Sequence, residues 1–126
     1  MTDETPWLAR LVTTLENLAA VSAVQIAYLK SIGTQGSADE LALEFADVYT
    51  YLEPRLERLN VPASAVEALT QLDGRLEVMS GMEHSELWTP DALVTSEDWT
   101  DIRRLASRVL LDLRGITQLE GQDAEG

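Results

Sequence analysis

The sequence predicts an all-α protein, a four-helix bundle expected to run antiparallel. Three observations predict it. Apolar residues recur every three or four positions over long stretches, and Gly and Pro punctuate those stretches. Leucine, valine and alanine dominate the apolar content, against only seven aromatic residues (three Trp, three Tyr, one Phe). That make-up suits helices, because strands favour β-branched and aromatic side chains. No stretch alternates with the period of two that a half-buried strand requires.

The first helix is expected to open with Thr5 as cap and Pro6 in the first turn, and to close at Gly33. Leu8, Leu11, Val12, Leu15, Leu18 and Ala19 share one face, and Val21, Val24, Tyr28 and Leu29 widen it. Between Leu11 and Leu29 the only formal charge is Glu16. A helix apolar over so much of its circumference is central in a bundle or shared with a second chain, which makes a homodimer through the first helix the second partner reading.

Gly33-Thr34-Gln35-Gly36 reads as a loop, and Ser37 with Glu40 forms a capping-box pattern at the start of the second helix. Leu41, Phe45, Val48, Leu52, Leu56 and Leu59 keep one stripe in phase through Pro54. Proline in a helix interior removes a backbone hydrogen bond, so a kinked second helix is predicted, ending at Asn60-Val61-Pro62. Tyr49 and Tyr51 flank that stripe and are expected to be partly exposed.

The third helix starts near Pro62 or Ser64, with Ser64 and Glu67 as a second capping box, and stops at Gly81. Val66, Leu69, Leu72, Leu76 and Met79 form its buried side. Gly74 lies inside it at a cost of about 1 kcal/mol relative to alanine, compatible with a close helix crossing or a merely tolerated glycine. From Gly81 to Thr95 the pattern fades into an irregular segment packed on the bundle, with one helical turn beginning at Thr89-Pro90-Asp91.

The last helix opens at Thr95 or Ser96 and carries Trp99, Ile102, Ala106, Val109, Leu113 and Ile116 on its apolar stripe. Glu97, Asp98 and Asp101 precede Arg108 and Arg114, the order that complements the helix macrodipole. One domain over 1–120 and a disordered tail over 121–126 complete the expected organisation.

The 126 residues are 45% hydrophobic, enough for one core. The formal net charge of −13 disfavours direct contact with nucleic acid or anionic membranes. No cysteine is present, which excludes disulfides and thiolate metal sites and fits a cytoplasmic location. Met1-Thr2-Asp3-Glu4 is acidic where a secretory signal is basic. The charge-poor stretch from Leu11 to Leu29 contains Thr13, Thr14, Asn17, Ser22 and Gln25, too polar to span a membrane. Eight arginines against one lysine suit a bacterial source of high GC content.

No catalytic, cofactor-binding or metal-ligating residue is assigned. The lone His84 follows Ser80 and Gly81 at helical spacing, so no Glu-x-x-His ligand pair exists. Glu40, Glu44 and Asp47 share a face expected to be solvated, and no calcium loop, nucleophile elbow or P-loop is present. Charge asymmetry is the informative feature. Between Pro62 and Asp101, nine acidic residues face the single base Arg75, a segment charge of −8. Within it, Glu83, Glu86, Trp88, Asp91, Glu97 and Asp98 are the expected partner-binding residues. Tryptophan is favoured at interface anchors, and Trp99, being on the stripe, is expected in the core. The function class is therefore a non-enzymatic interaction module, an immunity-type inhibitor or regulator of a basic protein. The alternative is a homo-oligomeric bundle with a structural role or a small-molecule pocket lined by Trp7, Tyr28, Trp88 or Met79.

Overall fold

The computed structural model describes the backbone of residues 5–33 and 37–125 and, within them, every side chain through Arg114 except Met82. Helices α1 (Thr5–Ala19), α2 (Ser22–Ser31), α3 (Asp39–Leu52), α4 (Ala63–Met79), α5 (Pro90–Thr95) and α6 (Glu97–Glu125) follow in order. Two 3-10 turns, Glu53–Arg55 and Met82–Trp88, lie between them. The protein is all-helical, with no strand among the described residues. No helix among them is long and apolar enough to cross a membrane. The tail expected over 121–126 lies outside the described side chains.

Helix α1 packs against α3 on one side and α6 on the other, and α6 also runs along α4. Leu11, Leu15 and Leu18 of α1 meet Phe45 and Leu52 of α3, Leu69 and Leu72 of α4, and Trp99, Ile102 and Val109 of α6 in one continuous buried cluster. Full burial of each such side chain contributes about 1.5–3 kcal/mol. The apolar face of α1 is thus covered within a single chain.

The first helix is not continuous. It breaks at Ala20 and Val21, where Val21 adopts an extended conformation (φ −64°, ψ 155°). Val21 and Val24 do not widen the buried stripe; they are 66% and 55% exposed. The break is closed by Gln25, only 1% exposed. Its Nε2 donates to the carbonyls of Asn17 and Leu18, both at 3.1 Å, which α1 leaves without helical partners. Its Oε1 accepts from Arg103 Nε at 3.3 Å, and the Arg103 guanidinium in turn donates to the Leu93 carbonyl. The buried Gln25 amide and the Arg103 guanidinium together therefore join the end of α1, α2, α5 and α6.

The second helix stops rather than kinks at Pro54. Helix α3 ends at Leu52, tightens into the Glu53–Arg55 turn, and keeps Leu56 buried, which is why the stripe stays in phase. Asn60 takes a left-handed conformation (φ 62°). The Asn60 N–H donates to the Glu57 carbonyl and the Val61 N–H to the Leu56 carbonyl, at 3.1 and 3.2 Å. These are the two bonds of a Schellman closure, and asparagine tolerates its left-handed position.

Neither expected capping box forms. Ala38, not Ser37, sits at the N-cap of α3, and its N–H donates to the Trp88 carbonyl at 3.2 Å. Ser64 lies inside α4, where its hydroxyl meets Asp112 Oδ2 of α6 at 3.0 Å. Tertiary partners displaced local ones at both helix starts. Tyr49 is buried, not partly exposed. Around Gly74 there is open space rather than a close crossing. The segment 81–95, expected to be irregular, folds into the Met82–Trp88 turn and α5, which begins as expected with Thr89 Oγ1 accepting the Ala92 N–H at 3.2 Å.

Candidate interaction groove

An open trough of about 590 Å³ runs between α3, the end of α4 and the 82–88 turn. Helix α3 contributes Asp39, Ala42 and Leu43, α4 and its exit contribute Leu76, Ser80 and Gly81, and the turn contributes Ser85 and Trp88. The local chemistry of each wall explains the shape. Gly81 adopts φ 109°, a conformation that L side chains rarely reach, so the chain leaves α4 sharply and doubles back as the 3-10 turn. Trp88 anchors that turn. Its Nε1 donates to the Met79 carbonyl at 2.9 Å, and its ring meets Trp99 edge-on at 5.5 Å. Trp99 is fully buried, as its place on the stripe predicts, and its Nε1 donates to the Leu87 carbonyl at 2.6 Å.

Leu43 projects from α3 off the buried stripe of Leu41, Phe45, Val48 and Leu52, and is 54% exposed. With Leu76 and the half-buried Trp88 it gives the trough an apolar floor. The rim is acidic. Asp39 is exposed, and the Glu83 carboxylate leans over Gly81, with Oε1 3.6 Å from where a Cβ on that glycine would stand. The Glu83 side chain is 81% exposed, and its nearest base is His84, with Nε2 at 3.9 Å.

The six sequence-predicted residues divide. Glu83, Glu86 and Trp88 share the turn that walls the trough, and both acids are exposed. Asp98 instead meets α4: its Oδ1 accepts from the Arg75 guanidinium at 3.1 Å, beside Asp101 Oδ2 at 2.8 Å. Asp91 and Glu97 lie exposed in the first turns of α5 and α6, outside the trough lining. The residues offered as alternatives for lining a small-molecule pocket also divide, and of them Trp88 lines the trough. Trp88 and Met79 are neighbours, but Trp7 stacks on Tyr51 at 4.1 Å, and the Tyr28 hydroxyl donates to both Glu44 oxygens at 2.7 and 2.8 Å. Glu44 is thus half-buried and engaged rather than solvated, and it holds the Tyr28 proton so firmly that its pKa is pushed up to about 12.

Sequence reasoning missed Asp39 and Leu43. Two signals for them exist. Leu43 is apolar but out of phase with its helix, and no Lys or Arg occurs between Lys30 and Arg55. Among the described residues, no three His, Asp or Glu side chains group so as to hold a metal ion. Comparison with protein-family models, curated proteins and solved structures returns no significant match.

Proposed function

We propose that this chain is a non-enzymatic interaction protein of the cytoplasm that engages a basic protein partner, in the manner of an immunity-type inhibitor or a regulator. The scaffold is read as a four-helix bundle of α1, α3, α4 and α6, with α2 and α5 as adaptors. One observation carries the functional reading. Two stretches of sequence lack Lys and Arg altogether, from Ser31 to Pro54 and from Leu76 to Ile102. Every described residue lining the trough comes from one or the other. Packing therefore brings both base-free stretches to one place, where acidic side chains have few internal counter-charges. Arg75, at the edge of the second stretch, is already held by Asp98 and Asp101. An exposed field of one sign speeds encounter with the opposite sign and rejects like-charged partners.

The test compares the wild-type chain with a Glu83→Lys/Glu86→Lys double variant as bait in lysate, at low and high salt. The proposal expects a basic protein that wild type retains at low salt, that salt releases, and that the double variant fails to retain. Equal retention by both baits, or indifference to salt, contradicts it.

A further inference from the structure

The acidic surface says which charge a partner carries, but the trough adds what kind of segment it presents. We infer that the trough between Leu43 and Trp88 seats a bulky apolar side chain from a basic amphipathic helix of the partner, with flanking Lys or Arg side chains reaching Asp39 and Glu83. This inference rests on the interaction reading above and deepens it.

The floor and rim differ in chemistry in the way such a helix requires. Leu43 is an apolar side chain left 54% exposed beside a half-buried tryptophan, while the floor below, Leu76, is closed at 7% exposure. Covering that surface removes apolar area from water without displacing any side chain of the core. Asp39 stands one helical turn from Leu43, so an anion and an apolar contact occur side by side on α3. Glu83 repeats the anion on the opposite wall. Among the described residues there is no strand whose free edge an extended peptide would pair with, which leaves a helix laid in the groove as the fitting mode.

Charge selects this occupant over the others at hand. A second copy of the chain brings a net charge of −13 against the same acidic rim. The chain's own stretch from 115 to 126 contains Glu120, Asp123 and Glu125 and no Lys or Arg. Both place like charges together.

The experiment measures binding of two short labelled peptides by fluorescence anisotropy. One is an amphipathic helix of leucine and lysine, and the other has each leucine replaced by glutamine at unchanged charge. Each is titrated with wild type, with Leu43→Arg, with Ser85→Arg on the opposite wall, and with Leu111→Arg as a control on the exposed face of α6. Circular dichroism verifies that each variant is folded. The inference expects the Leu/Lys peptide to bind wild type at least about tenfold more tightly than the Gln/Lys peptide, the scale of one interface anchor. It expects a similar loss with Leu43→Arg or Ser85→Arg, and none beyond about twofold with Leu111→Arg. Equal, salt-sensitive binding of both peptides overturns the groove while leaving the acidic-surface reading in place. Binding of neither peptide overturns both. Leu43→Arg and Ser85→Arg behaving like Leu111→Arg also overturns the groove, since apolar contact then lies elsewhere.

Discussion

At the break between α1 and α2 a polar side chain goes inside, whereas at the trough apolar side chains stay outside. Both regions depart from the usual partition, and the two departures end differently. Gln25 is buried, yet both ends of its amide are bonded, to Asn17, Leu18 and Arg103. Burial also lowers the pKa of Arg103, and its bonds to Gln25 and Leu93 keep the guanidinium from being an orphan there. The chain answers that departure within itself. At the trough Leu43 stays 54% exposed and Glu83 81% exposed, with only the neighbouring His84 facing that carboxylate among the described residues. A departure closed internally is architecture, and one left open is where a partner has something to contribute.

The comparison breaks if substitutions at the two regions cost the same. Gln25→Leu strips two carbonyls and Arg103 of their partner, so it is expected to destabilise by about 2–4 kcal/mol in chemical denaturation. Leu43→Arg, on an open surface, is expected to change stability by no more than about 0.5 kcal/mol. A Gln25→Leu variant as stable as wild type would mean that the seam is incidental.

Smaller effects sharpen the same contrast between closed and open features. Asn60→Val forces a β-branched residue into the left-handed closure after α3 and is expected to cost about 1–2 kcal/mol, whereas Asn60→Gly stays near neutral. Gly74→Ala meets open space inside α4 and is expected to stabilise by about 0.5–1 kcal/mol, read as a rise in Tm. A loss there would show that α4 is crossed closely at Gly74.

The Tyr28–Glu44 bond gives a pH test. A tyrosine whose pKa rises from 10.0 to about 12 on folding contributes stability that is complete below pH 10 and lost as pH climbs through about 12. Tyrosinate absorbance is expected to show a late-titrating phase that shrinks in Tyr28→Phe, the remainder belonging to the buried Tyr49. An unchanged late phase in that variant would assign it to another tyrosine; Tyr49, also raised by burial, is the other candidate.

Much of the helical plan was legible because it is local. Period-3.6 stripes located the buried leucines, and Thr89-Pro90 marked the start of α5. Trp99 fell in the core where its phase placed it. What escaped depends on partners distant in sequence. The break after α1 is closed by the Gln25 amide, which donates to the freed carbonyls of Asn17 and Leu18 and is itself held by Arg103, distant in the chain. Ser64 abandoned its capping box for Asp112, and the start of α3 is fastened by Trp88. The acidic bias of 62–101 was legible as charge alone. Its meeting with the base-free stretch of α3 was not, because only packing brings Asp39 and Leu43 to Ser85 and Trp88.

The most direct test of the central claim is amide hydrogen exchange of the wild-type chain with and without the Leu/Lys peptide. The account predicts added protection confined to the first turns of α3, around 39–43, and to 80–88. Protection centred instead on α2 or on the Leu111 face of α6, with 39–43 and 80–88 unchanged, would contradict it.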